Sequence, residues 1–399
     1  MRISKSYKTE LRPTEAQAKR FSQWAEAVNL VYNLALRARK DAWEKEKKTL
    51  GWYEQSKQLT QFKRIGKFAT LRDVPSSTLE FPLRKVDLAY RNFFRRIKRG
   101  EKPGFPKMKP EKGYRNSFKL RSTIHVDEDA IKLPKVGWVR LKEKGYLPTE
   151  GIKILSATVS EKVGRWFVSL NFEQEIEIEK AEGPPIGIDL GITSLAVVSD
   201  GRRFENPKAL KRSQKRLVRF QKEWSRRKPG SKNREKTRQK IEKLHYRIAN
   251  LRKDVLHKAT SEITGKRLSP EERPRTIGME TLNVKGMVKN RHLARAISDV
   301  GMAEFRRQME YKAEWRGEEI ILADRFFPSS KKCSACGWVN RELKLGDRKW
   351  TCVECGVEHD RDLNAAMNLR DIATAGSAEC NASGGEEVSS SMKEEFQYV

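Results

Sequence analysis

Four cysteines and three carboxylates are the residues of this 399-residue chain best placed to do chemistry. Two residues separate Cys333 from Cys336, two separate Cys352 from Cys355, and fifteen separate the pairs. A Cys-x2-Cys pair turns two thiolates toward one ion, so two pairs fill the four positions of a structural zinc site and leave none for a substrate. Gly337 and Gly356 follow the pairs and permit tight turns. Zinc here supplies folding energy to a segment too short for a core of its own.

The carboxylates stand out by context. Asp189 ends the apolar run IGID before Gly191, and Glu280 ends a second run, IGME. Asp362 opens the helical pattern RDLNAAMN, whose Ala365 and Ala366 permit close packing. Singly, each has a structural explanation: an acid at a helix start favours the helix dipole, and one at a strand end can simply be solvated. Together they could meet at the carboxyl ends of an α/β sheet. Such an island of like charge calls for divalent cations, and oxygen donors suit Mg²⁺ or Mn²⁺. Two ions about 4 Å apart would activate water and stabilise the leaving oxygen in phosphodiester hydrolysis.

Composition points to the same substrate class. The net charge is +31, from 84 Lys and Arg against 53 Asp and Glu, which suits a polyanion such as nucleic acid. No apolar run approaches the roughly 20 residues of a spanning helix, and the N-terminus lacks a signal-peptide core, so a reducing, cytoplasmic location is expected.

Several elements must position these residues. Residues 1–12 read as a strand. Pro13 and Thr14 open a helix with Phe21, Trp24, Val28, Val31, Tyr32 and Leu36 at helical spacing, and more helices follow to about 98. Residues 102–180 alternate like antiparallel strands, with Gly164 at a hairpin tip, and suggest a small barrel. After a linker at 181–185, strands ending near Asp189 and Glu280 and the strand GEEIILADRFF mark an α/β domain. Between them, residues 208–240 hold fifteen Lys and Arg against two Glu, in a helical hairpin. One helix is expected over 291–316 and another over 362–373. From 374 the chain is Ser/Gly-rich and acidic, and disorder is expected; Cys380 lies there, away from the paired cysteines.

The stretches GIDLGITSLAVVSDG, IGMETLNVKGM, the cysteine ribbon and HDRDLNAAMN resemble, in that order, the RuvC-type motifs and zinc ribbon of the transposon-encoded TnpB family, relatives of type V CRISPR effectors. FPLRKVDLAYRNFFRRIK, PGFPKMK, IKLPKVGWV and FFPSSKKCSACG extend the resemblance to about residue 373. It implies a multidomain α+β protein with a RuvC/RNase H-like α/β nuclease domain, an inserted zinc ribbon, a helical recognition lobe and a β-barrel wedge. The implied boundaries are 1–12 and 102–180 for the wedge, 13–101 for the lobe, 181–330 and 358–373 for the nuclease and 331–357 for the ribbon; the acidic tail, 374–399, lies outside the resemblance.

The resemblance also implies an RNA-guided DNA endonuclease with a guide RNA from the transposon end. It would cut double-stranded DNA beside a short transposon-associated motif, in a prokaryotic, nucleoid-associated setting. Asp189, Glu280 and Asp362 become the Mg²⁺ ligands, with Asp360 a neighbour outside the set. Base pairing would supply sequence choice, so Lys and Arg should hold the heteroduplex by its backbone. Trp52, Tyr53, Ser56 and Ser76 are candidate motif readers, and Arg226, Arg227 and Lys228 candidate backbone contacts. A non-cutting nucleic-acid binder and a strand-joining transposase are the competing readings.

Overall fold

Thr14 starts the first long helix with a reciprocal cap: its hydroxyl accepts the Gln17 N–H at 3.3 Å, and the Gln17 side chain accepts the Thr14 N–H at 3.0 Å. The computed structural model describes residues 1–110, 116–121, 123–344 and 346–382. Its contacts divide the chain into two units, Met1–Glu177 and Ile178–Val399.

In the first unit, β1 (Arg2–Arg12) leads into α1 (Glu15–Glu46), α2 (Trp52–Phe62), a 3-10 segment (Gly66–Arg72) and α3 (Ser76–Lys98). Six strands follow: β2 (Ser117–Leu120), β3 (His125–Val126), β4 (Ala130–Leu133), β5 (Gly137–Leu141), β6 (Lys153–Lys162) and β7 (Arg165–Glu175). They pair antiparallel with β1 in the order β2-β6-β7-β1-β5-β4-β3. Residues 1–12 and the later strands thus share one sheet. Among the described residues this sheet is open, not the expected barrel. Its edges are β2 and the two-residue β3, which offers too short a ladder to close a ring. The helices share a core with this sheet: Phe21 and Trp24 of α1 pack their rings on Phe118 of β2, and Phe21 also on Trp166 of β7, at 5.1–5.7 Å. Gly164 does sit in the β6–β7 turn, at φ 73°.

The second unit contains β8 (Ile186–Leu190), β9 (Ser194–Val198), β10 (Arg203–Glu205), α4 (Ala209–Arg226), α5 (Lys232–Ile263), β11 (Thr276–Glu280), α6 (Val284–Met287), α7 (Ala294–Val300), α8 (Met302–Glu314) and β12 (Glu319–Ala323). The ribbon strands β13 (Lys349–Thr351) and β14 (Glu358–Asp360) and the last helix, α9 (Arg361–Ala382), complete it. The sheet order is β10-β9-β8-β11-β12, with β8, β11 and β12 parallel, β9 antiparallel to β8, and β10 antiparallel to β9. The single helix expected over 291–316 is broken, because Gly301 takes the left-handed conformation at φ 78° between α7 and α8. The last helix is longer than expected and continues past 374 to Ala382. The rest of the expected disordered tail, 383–399, lies outside the described residues. No helix among the described residues is long and apolar enough to cross a membrane.

α9 lies against bare backbone on two strands. A Cβ on Gly187 of β8 would stand 2.0 Å from the Ala366 carbonyl oxygen, and one on Gly278 of β11 would stand 2.1 Å from that of Leu369. No side chain can flex away here, since both sides of the contact are main chain. Gly187→Ala is therefore expected to destabilise the protein by about 3 kcal/mol, read as a lower urea midpoint. Gly66→Ala, with open space around it, should change little.

Candidate active site and metal-binding ribbon

The same two glycines aim the acids. Residues two apart on a strand share a face, so Asp189 lies on the face that Gly187 offers to α9, and Glu280 on that of Gly278. β8 and β11 run parallel with Ile188 opposite Met279, which brings Asp189 and Glu280 to the same strand ends, side by side. Two residues along a strand cover about 6.6 Å, the rise of about four helical residues. Four residues back from Ala366 along α9 is Asp362.

Asp189 feels the other two carboxylates. Burial, then the charges of Glu280 and Asp362, push the Asp189 carboxyl up to about 8, against the pull of Arg361 and Arg348. Glu280 Oε1 accepts a hydrogen bond from the Ser329 hydroxyl. Arg348 Nη1 lies 3.6 Å from Asp362 Oδ1, and Nη2 donates to Thr193 Oγ1 at 3.3 Å. Asp360 is used differently. Its Oδ1 accepts the Leu363 N–H at 3.0 Å, capping α9, and pairs with Arg203 at 3.0 Å. Sequence reasoning missed Arg348 and Ser329; each lies in a polar segment with no periodicity to single it out.

The ribbon is more tightly drawn together. Its four sulfurs lie within 4.8 Å of one another, the only group of three or more such donors to converge this way among the described residues. Cys333 to Cys355 and Cys336 to Cys352 are each 3.7 Å. Four sulfurs about 2.3 Å from a tetrahedral zinc stand about 3.8 Å apart, so the donor set fits that ion. Each half repeats one turn. Gly337 N–H donates to the Cys333 carbonyl and Gly356 N–H to that of Cys352, both at 2.9 Å, with φ of 82° and 72° at the glycines. His359, which sequence reasoning passed over, sits 3.0 Å from Cys333 Sγ through Nε2. Burial raises the Cys333 thiol, but the N–H groups of Cys336 and Ala335 and the His359 ring outweigh it and bring it down to about 6. The β13–β14 ladder pairs Lys349 with Asp360, Trp350 with His359 and Thr351 with Glu358.

The expected nucleic-acid contacts divide. Tyr53 is 62% exposed, and Ser76, Arg226 and Lys228 are exposed. Ser56 is half-buried. Trp52 stacks under the Arg84 guanidinium at 4.1 Å, and Arg227 is tied to Glu223 and the Asn233 carbonyl. Of the fifteen cations at 208–240, all but Lys208, Arg227 and Arg234 are exposed. Asp299 of α7 fastens this hairpin: it accepts the Leu210 and Lys211 N–H groups of α4 at 3.0 and 3.2 Å and pairs with Arg252 of α5 at 2.8 Å.

Two measurements probe these centres. The purified protein is expected to carry about one zinc per chain by elemental analysis, and Cys352→Ser to lose it and melt at a lower temperature. Asp189 binds a proton in the fold up to about pH 8 but in the unfolded chain only to about pH 4. The fold therefore loses stability as pH rises through that window. In magnesium-free buffer, Asp189→Asn should melt above the parent protein at pH 8, with the gap narrowing toward pH 5.5.

Residues 157–291 match the family described as "Probable transposase" (OrfB_IS605), and residues 303–369 match "Cas12f1-like, TNB domain". Residues 1–48 match "Helix-turn-helix domain", although here they form β1 and the single helix α1. A Streptomyces pristinaespiralis protein named as a candidate RNA-guided DNA endonuclease is 38% identical over 384 residues, covering 94% of this chain and 91% of its own. Escherichia coli K12 InsQ, named likewise, is 31% identical over 387 residues, covering 92% of each chain. The cryo-EM structure of a Cas12f1–sgRNA–target DNA complex matches with a TM-score of 0.55 at 16% identity, over 92% of this chain and 99% of that one, a likeness of fold alone. With relatives this similar along nearly its whole length, the chain belongs to the TnpB family of transposon proteins.

Proposed function

We propose that this protein is an RNA-guided DNA endonuclease, which hydrolyses phosphodiester bonds of double-stranded DNA beside a short transposon-associated motif in one RuvC-type site. The observation that carries the reading is the convergence of three acids from two parallel strands and the helix packed on them, where burial first, and then the charges of Glu280 and Asp362, push Asp189 up to about 8. The names of the full-length relatives support it independently. In this reading 181–330 and 358–373 make the RuvC-like nuclease domain around the five-stranded sheet. Residues 1–12 and 102–180 form the wedge, and 13–101 the recognition lobe.

The all-oxygen donor set of Asp189, Glu280 and Asp362 suits hard divalent cations. Bound there as a pair, Mg²⁺ or Mn²⁺ would supply an activated water and charge neutralisation at the leaving oxygen. The chain's own residues do the rest. Asp189 must give up its proton before it can serve as a full anion, so cation binding is coupled to pH. Arg348, at the rim beside Asp362, offers a cation to the scissile phosphate. The exposed Arg226 and Lys228 would hold nucleic acid by its backbone, as would Arg227 if its ties to Glu223 and Asn233 open. Tyr53, Ser56 and Ser76 remain motif-reading candidates, and Trp52 would act through Arg84 and Tyr53.

The guide RNA would come from the end of the transposon. RNA that co-purifies with the protein should have one defined sequence. Asp189→Ala should bind that RNA with unchanged affinity and cut matched DNA at least about 1,000-fold more slowly in Mg²⁺. Cutting at the parental rate by this variant would remove Asp189 from the site.

A further inference from the structure

Between β12 and the first ribbon cysteine the chain makes a tight turn, Pro328 to Lys332, and Ser329 within it is only 4% exposed. Lys331 and Lys332 N–H both donate to the Pro328 carbonyl, at 3.0 and 2.9 Å. α9 grips this turn with two buried amides one helical turn apart. Asn368 Nδ2 donates to the carbonyls of Ser329 and Lys332 at 2.8 and 2.7 Å. Asn364 Nδ2 donates to Lys332 at 2.7 Å, and its Oδ1 accepts the Ser334 N–H at 2.9 Å. The turn therefore cannot slide along α9, and the Ser329 hydroxyl is delivered to Glu280 Oε1. On the strand side, Thr281 Oγ1 donates to the Ala323 carbonyl at 2.8 Å, fixing the backbone next to Glu280.

We propose that Ser329 is a positioning residue of the nuclease site: its hydroxyl holds one oxygen of Glu280 so that the other is presented to the cation. This rests on the nuclease reading above. A glutamate reaches its target through three rotatable bonds, and here the neighbouring Asp189 carboxylate, once ionised, repels it. A donor fixed on one oxygen removes that freedom without adding charge, and it leaves the second oxygen's lone pairs available. Fixed partners of this kind typically change metal affinity or activity 10- to 100-fold.

The test uses the zinc-loaded protein with its co-purified RNA. Binding of Mn²⁺ is followed through the electron paramagnetic resonance signal of the free ion, with Asp189→Ala defining the site-specific component. Ser329→Ala, which removes one oxygen atom, is expected to weaken that component about 10-fold. Zinc content and melting temperature should stay unchanged. Guided cleavage should need about 10-fold more Mg²⁺ to reach half its maximal rate, while the rate at saturating cation falls less. Ser329→Ala with the parental Mn²⁺ affinity and Mg²⁺ requirement would overturn the inference and leave the nuclease intact. Weakened binding that appears only with lost zinc or a lower melting temperature would overturn it too, since Ser329 would then act through folding. A parent protein with no Asp189-dependent Mn²⁺ component and no guided cleavage would overturn the nuclease reading itself.

Discussion

The contact between α9 and the naked backbone of β8 and β11 is the constraint on which the second unit depends. Helix and sheet normally meet through side chains about 10 Å apart. Here Gly187 and Gly278 let the helix backbone come within the space a Cβ would fill. That fixes the height of α9 over the sheet and its slide along the strands. Each glycine is followed two residues later by an acid on the same face, so the contact that seats the helix also sets where Asp189, Glu280 and Asp362 stand. Ala365 and Ala366, both buried, keep the helix side of the contact small.

Close approach concentrates like charge, and the chain manages this locally. Its net charge of +31 does not neutralise the site, because most of those cations are exposed and screened over about 10 Å. The relief comes from groups at hand: Arg348 beside Asp362, Arg361 and Arg348 near Asp189, and a neutral donor, Ser329, on Glu280. Asp360, two residues before Asp362, is used instead to cap α9 and pair with Arg203. Basic charge is concentrated elsewhere, on the α4–α5 hairpin. Buried Asp299 gives that hairpin a fixed attachment by capping α4 from a different element.

How much of this could be read from sequence depended on the range of the interaction. The ribbon was legible because its cysteine spacing and following glycines are local. The three acids could be picked out because strand ends and a helix start are visible as pattern breaks, and Glu280 and Asp362 do stand within electrostatic reach of Asp189. His359 was not legible, since its ring meets Cys333 across the ribbon. Sheet closure was not legible either, because alternation reports strands but not whether the outermost two pair. The break at Gly301 was hidden inside a continuous apolar period, and only the left-handed φ shows it. A run of arginines likewise does not reveal which one, such as Arg227, is already held by a neighbour.

The ribbon is therefore not a separate appendage with its own metal. It enters through the turn that carries Ser329 to Glu280. It leaves through β14, whose last residue caps α9 and whose partner strand begins beside Arg348. The Arg361 N–H closes this end on the Arg348 carbonyl at 2.9 Å. Both ends of the thiolate site thus terminate on the carboxylate site. The two can coexist without exchanging ions because their donors differ in kind: four soft sulfurs select zinc, and oxygens alone suit Mg²⁺ or Mn²⁺. In the proposed nuclease, zinc on the ribbon would act without touching the reaction, by fixing both ends of the segment that delivers Ser329, Arg348 and the start of α9.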